Sequence, residues 1–349
     1  MSERLGIGVV GVNPRIRRTI LGGLAGSKRA RLAAVVSRDA EKAARTASEF
    51  DCAAYTSLAA MLADRSVHVV FVCTPHHLHR PMSLEALAAG TRVICEKPLA
   101  LSVAEAEDMA NAARRTGLAT EVNFTYHSLG GHCFVERLLR EGAIGRLNHL
   151  SLTYWQARQG LPGAKPADAL LDVGSHLLDL VCWWAEAGGA GEVNSIVSQE
   201  GGRVGAEDRP ILTALARTTG GALVSVQANR AAAGWRNGME CVLAGEKGSL
   251  ALSFDTDAAT VRGARFGDSR PEGAFQEMGL PPELQVSYAD FPAYHIDRLA
   301  AGLQGDLDFP DFAYGLRVQR LLDAARTSIR ERRWVDVVAG RNDNADRFD

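Results

Sequence analysis

Through residue 124 the chain alternates short, apolar, β-branched runs with amphipathic stretches of helical period, and this alternation constrains the fold more than any other feature. The runs are IGVV (7–10), LAAVV (32–36), VHVVFVC (67–73), RVICE (92–96) and TEVNF (120–124). DAEKAARTASEF and SVAEAEDMANAARR lie between them. A strand apolar on both faces must be covered on both, and strands separated by helices run parallel. Residues 1–124 are therefore expected to form a doubly wound α/β domain with a Rossmann-type parallel sheet. Helix punctuation agrees. Pro14 suits a first helical position, Asp39 can cap the helix after the second run, Ser102 and Glu105 have capping-box spacing, and Gly90 stops a helix.

After about residue 146 the pattern changes. RLNHLSLTYWQ, EVNSIVSQ, PILTALART, ALVSVQANR, MECVLAG and GSLALSF follow one another across turn signals such as TTGG and GEKG. Strands joined without long helices form a largely antiparallel sheet. One helical segment, DALLDVGSHLLDLVCWWAE, interrupts them early, and two more follow near 292–303 and 312–331. The expected organisation is α/β overall: a dinucleotide-binding domain (1–124), an α+β domain with a large, mostly antiparallel sheet (125–340), and a polar tail (341–349).

Composition narrows the function. At 349 residues, 46% hydrophobic and 23% charged, the chain suits a two-domain globular protein. A net charge of -2 without a Lys/Arg run argues against nucleic-acid or membrane partners. No apolar stretch nears the roughly 18 residues of a membrane span, and no signal-peptide pattern opens the chain, so a cytoplasmic location is expected. The six cysteines are scattered singly, as core residues would be.

Gly6, Gly8 and Gly11 spell G-x-G-x-x-G, the pattern of a dinucleotide loop. Such a loop must follow a strand and open a helix, because it aims N-terminal N–H groups at the pyrophosphate. Too little chain precedes Gly6 for that, so residues 6–11 read as the strand itself. The turn is then GVNPRI, with Gly11, Asn13 and Ile16 at the three glycine positions and Val12 and Arg15 beside them. Asn13 could supply a left-handed turn. The other strand ends carry Ser37 and Arg38, Thr74, Pro75 and His76, Glu96 and Lys97, and Asn123. In a parallel sheet these collect along one carboxyl edge, where ligands bind. His76 and His79 are expected to line the crevice; with no Cys or carboxylate at suitable spacing they do not make a metal site.

The segment CTPHHLHRPMSLEALAAGTRVICEKPLA resembles the signature of the glucose–fructose oxidoreductase, inositol 2-dehydrogenase and rhizopine-catabolism (Gfo/Idh/MocA) family, C-x-P-x-x-x-H followed by E-K-P. EGAIGRLNHLSLTY, LLDVGSHLLDL, GEKGSLAL and VQRLLDAARTSIRERRWVDV extend the resemblance nearly end to end. It implies an NAD(P)-dependent oxidoreductase acting on a secondary alcohol or ketone of a sugar, keto-sugar or cyclitol. Lys97 would contact the reacting oxygen, His176 would exchange the proton, Asp172 would complete the site, and Asp179 would be structural. Asn13 stands where glycine is usual, His76 where Asn is frequent, Thr125 where Arg is usual, and KPADALLD replaces glycines before D-x-G-x-H. These departures bear on the substrate more than on the reaction.

Asp172 and His176, four apart, share a helix face. Tyr126 and Trp155 are further substrate candidates, while Trp183 and Trp184 read as packing. Ser37–Arg38, without an acid at the end of the second strand, favours NADP(H) over NAD(H), with Asp39 as a helix cap. Two alternatives are an NAD-dependent glycoside hydrolase of the same fold and a non-catalytic nucleotide-binding sensor. The family resemblance further implies a homodimer or homotetramer built through the exposed face of the second sheet.

Overall fold

The computed structural model describes residues 4–157, 168–202, 209–255, 258–265 and 274–337. The expected polar tail lies outside them. Six parallel strands form the first sheet: β1 (Leu5–Val10), β2 (Ala30–Val36), β3 (Ala53–Tyr55), β4 (Val69–Val72), β5 (Arg92–Glu96) and β6 (Thr120–Asn123). Their order is β3-β2-β1-β4-β5-β6. β1, β4 and β6 are buried along their whole length, as a doubly covered sheet requires. The short, partly exposed β3 gave no apolar run to find in the sequence.

Gly6 and Gly8 belong to β1, where side chains have no room. A Cβ at Gly6 would strike the Ser66 carbonyl, and one at Gly8 would meet Met61. The capping residues behave as their chemistry dictates. Asp39 accepts from Lys42 N–H at 3.0 Å and Ser102 from Glu105 N–H at 3.3 Å. The Glu105 carboxylate reaches the Leu101 N–H, one residue outside the expected box.

The second sheet contains β7 (Leu147–Trp155), β8 (Val193–Gly201), β9 (Ile211–Thr218), β10 (Leu223–Asn229), β11 (Gly238–Gly245), β12 (Gly248–Asp255), β13 (Ala258–Arg265), β14 (Gln276–Met278) and β15 (Val335–Asp336). Their order is β14-β13-β12-β11-β7-β10-β9-β8-β15. All neighbours are antiparallel except β7 and β10, which run parallel. Burial alternates along β9, so one face is covered and the other open. The helix Ser175–Ala187 covers the buried face, with Trp184 fully enclosed.

The chain divides into two compact units, 1–134 with 280–319, and 135–279 with 320–349. By packing, residues 125–134 and the helix Phe291–Leu303 belong with the first unit, whereas the sequence pattern groups them with the second domain. Ile296, Leu299, Ala300 and Leu303 join Ile7, Val9 and Leu21 in one core cluster. Asp297 Oδ1 also accepts from Ser27 Oγ–H at 2.6 Å and from the N–H groups of Lys28 and Arg29 at 2.9 and 3.0 Å.

Candidate active site

In the first unit the sequence-selected residues gather at the carboxyl edge of the parallel sheet, on both sides of the β1/β4 neighbourhood where strand order reverses. β1 gives way to Gly11, whose φ of +92° suits glycine. A Cβ there would come within 2.6 Å of the Cys73 carbonyl oxygen, so glycine also lets the first turn lie against the end of β4. The helical run 14–26 begins immediately after. Asn13 is not left-handed: at φ −127° and ψ 170° it is the N-cap, its Oδ1 accepting from Ile16 N–H at 3.0 Å, with Pro14 opening the helix. The side chain therefore occupies a donor that glycine would leave to a ligand. Val12 and Ile16 are core residues, while Arg15 projects outward, its side chain 57% exposed.

Arg15 donates to Glu96 Oε1 at 3.0 Å, and Asn123 Nδ2 donates to the same oxygen at 3.0 Å. Glu96 is thus held by neighbours on the first turn and on β6, and Lys97, half-buried, follows it with a cis peptide to Pro98. Asn123 Oδ1 faces His295 Nε2 at 2.6 Å. Ser37 donates its N–H to Tyr55 O, Arg38 is exposed, and Asp39 is engaged at its helix N-terminus. Pro75 and His76 are exposed beside half-buried Thr74.

His79 is placed differently from expectation. It is fully buried, with Nδ1 3.0 Å from Pro98 O and Nε2 3.0 Å from Thr74 O. Burial lowers its pKa. The ring ties the loop after β4 to the loop after β5, and it supports the crevice rather than lining it. Tyr126, half-buried, lies in the turn Thr125–Ser128 with its ring 5.1 Å from that of His132.

In the second unit, Asp172 lies on a wide helical turn, Leu170–Gly174, and His176 on the helix that continues it; both are half-buried. Gly174 of D-x-G-x-H is a packing requirement, since a Cβ would come within 2.8 Å of Leu212 Cδ2 on β9. Asp179, fully buried, belongs to the packed face. Asp172 Oδ2 is 3.0 Å from a guanidinium nitrogen of Arg230, an arginine with only 7% of its side chain exposed. Arg230 went unrecognised in the sequence, where it is one arginine at the end of an alternating strand.

Glu200 is a second unanticipated group. It accepts from Leu170 N–H at 3.4 Å, and Asp168 accepts from Leu171 N–H at 3.1 Å, so two carboxyls share the start of this helical segment. Burial and the Asp168 carboxyl push Glu200 up to about 7. Trp155 stacks on Trp235 at 5.0 Å and 28°. Residues 165–167 of KPADALLD lie outside the described residues. Among the described residues no group of three or more His, Cys, Asp or Glu could hold a metal ion, and no helix is long and apolar enough to cross a membrane.

The residues present fit a dinucleotide. A glycine-closed turn opens a helix on the sheet edge, exposed cations stand at Arg15 and Arg38, and an anchored carboxylate faces the same edge. A parallel sheet of this order with such an edge defines the class of dinucleotide-binding proteins.

Comparison with known proteins agrees. The model of the oxidoreductase family with an NAD-binding Rossmann fold matches residues 5–124, and the GFO/IDH/MocA C-terminal domain model matches 134–251. A levoglucosan dehydrogenase of Pseudarthrobacter phenanthrenivorans is 28% identical over 87% of this chain and 88% of its own length. A 1,5-anhydro-D-fructose reductase of Ensifer adhaerens is 31% identical over 40% of this chain and 42% of its own. The crystal structure of an NAD binding oxidoreductase from Klebsiella pneumoniae superposes with a TM-score of 0.85 at 26% identity, covering 97% of this chain and 100% of that one. The chain belongs to the GFO/IDH/MocA oxidoreductase family and is an NAD(P)-dependent oxidoreductase.

Proposed function

We propose that the enzyme interconverts a secondary alcohol and a ketone on a sugar, keto-sugar or cyclitol, with His176 exchanging the proton and Lys97 stabilising the substrate oxygen. The observation that carries this reading is the sheet edge of the first unit, where Gly11, Arg15, Glu96, Lys97 and Asn123 stand together. In the second unit, His176 follows by one turn an Asp172 held by a buried arginine.

The nicotinamide ring, when bound, supplies or accepts the hydride. The chain does the rest. Lys97⁺ opposes negative charge on the oxygen as the C–O bond order changes. His176 takes the hydroxyl proton in oxidation and returns it in reduction, and its partial exposure keeps it within reach of both substrate and solvent. Asp172, fixed by Arg230, orients a substrate hydroxyl or the imidazole. Tyr126 and Trp155 complete the substrate contacts.

NADP(H) is the preferred cofactor in this reading. Arg38 is exposed at the end of β2, and Asp39 beside it is occupied in capping its helix. A homodimer or homotetramer would use the outer face of the second sheet. There Leu215 and Val242, 49% and 42% exposed, lie in one cross-strand row through Ser225 and Ser151.

The test begins with anhydro-sugars, including levoglucosan and 1,5-anhydro-D-fructose, then ketoses and inositols, read by nicotinamide absorbance in both directions. On an active substrate, His176→Ala is expected to lower kcat by roughly 10²–10⁴ while cofactor affinity changes little. Wild-type kcat across the pH range would return His176 to a packing role.

A further inference from the structure

His295 lies some 170 positions from the sequence-selected edge of the first unit, yet a continuous buried hydrogen-bond chain joins it to that edge. Its ring is 4% exposed, parallel to Phe291 at 5.9 Å and near Phe309. Nδ1 lies 2.7 Å from Ser128 Oγ and Nε2 lies 2.6 Å from Asn123 Oδ1. Asn123 Nδ2 is 3.0 Å from Glu96 Oε1, which Arg15 also reaches.

The direction of every proton in this chain follows from its end. Arg15 can only donate, so Glu96 Oε1 accepts, and Asn123 presents its amide NH₂ to that oxygen and its own oxygen to His295. That oxygen can only accept, so His295 must carry its proton on Nε2. Nδ1 is then a lone pair, and the Ser128 hydroxyl donates to it. Burial holds the imidazole neutral, its pKa pushed down to about 3. Protonation would also put two donors face to face at Ser128 unless that hydroxyl turned away.

We infer that His295 is a positioning residue for cofactor binding: as a neutral Nε2–H tautomer it fixes the Asn123 amide, which in turn holds the Glu96 carboxylate and its Arg15 partner in the geometry that receives the dinucleotide. The inference rests on the reading that places Glu96 and Asn123 against the cofactor. No local motif marks His295, because its role exists only where the helix Phe291–Leu303 docks on the first unit. A leucine would fill the space and leave the Asn123 oxygen without a donor, so the amide could rotate and present that oxygen to Glu96. A glutamine keeps an N–H near the Nε2 position.

The experiment compares His295→Leu, His295→Gln, Ser128→Ala, Glu96→Gln and the Leu/Gln double variant. Dissociation constants for NADH and NADPH are read by nicotinamide fluorescence, and the His295 tautomer of the nucleotide-free protein by long-range ¹H–¹⁵N spectra. Expected are an Nε2–H tautomer from pH 8 to pH 5 and an about tenfold weaker binding in His295→Leu, the scale of one lost hydrogen bond to a charged network. kcat at saturating cofactor should stay near wild type, and His295→Gln should recover most of the loss. The double variant should bind no more weakly than Glu96→Gln. An Nδ1–H tautomer overturns the inference, as does a His295→Leu effect that multiplies fully with Glu96→Gln or is not rescued by Gln. If His295→Leu fails to fold, Ser128→Ala with wild-type affinity and an altered tautomer overturns it too. Weak binding in Glu96→Gln with normal binding in His295→Leu sinks the inference alone. Normal binding in Glu96→Gln sinks the underlying placement of Glu96 as well.

Discussion

Glu121→Gln should stabilise the protein at neutral pH, and the gain follows from the burial of one carboxyl. Glu121 lies on β6 with 2% of its surface exposed, against Gly302, and neither of its oxygens has a hydrogen-bond partner among the described residues. Burial raises its pKa well above the ordinary 4.5. A raised folded-state pKa gives stability that is fully present below 4.5 and lost as pH rises, because the unfolded chain releases a proton that the folded one retains.

A buried carboxyl left without a partner costs about 3 kcal/mol once the unfolded chain is ionised, the upper end of the penalty for one unsatisfied buried polar group. Glutamine is neutral in both states and escapes this cost. Its extra buried N–H offsets about 1 kcal/mol, leaving a net gain of about 2 kcal/mol at pH 7. That corresponds to a rise in Tm of roughly 4–8 °C for a unit of this size. Thermal unfolding should be followed at pH 7.0 and 4.5 by far-UV circular dichroism together with tryptophan fluorescence. All five tryptophans lie in the second unit, so a shift seen only in the dichroism isolates the first. Equal stability of the two proteins at pH 7, or the same advantage at both pH values, would refute the reasoning.

Other perturbations test other contacts. Arg38→Ala should raise the dissociation constant of NADPH by at least about tenfold more than that of NADH, through loss of a charge-assisted phosphate contact, in a fluorescence titration; an unchanged ratio removes the assigned NADP(H) preference. Gly6→Ala should lower Tm by several degrees or abolish soluble expression, since the added methyl meets a backbone carbonyl that no side-chain rotation can clear. Arg230→Met should cost about 1–2 kcal/mol by urea unfolding, the buried-pair value discounted because Asp172 is 32% exposed. It should also lower kcat/KM, with Arg230→Lys intermediate, whereas unchanged kinetics would separate Arg230 from the role of Asp172.

The sequence alone determined features whose cause is local. Strands buried on both faces show as β-branched runs, because each residue's own side chain meets the requirement. Asp39, Ser102 and Pro14 announce helix starts, because a cap bonds within three residues of itself. The E-K-P and D-x-G-x-H segments stand out through their resemblance to the family, and the glycine pattern falls within β1 because a dinucleotide loop must follow a strand.

Tertiary structure decided what depends on partners far along the chain. His79 and Asn13 have local chemistry open to several uses. Packing made one a buried tie between two loops and the other an N-cap. The helix Phe291–Leu303 reads as a continuation of the second domain until its apolar face and Asp297 meet residues some 270 positions earlier. Arg230 and His295 look ordinary in sequence, because the carboxylate that needs the one and the amide that needs the other are brought to them only by folding.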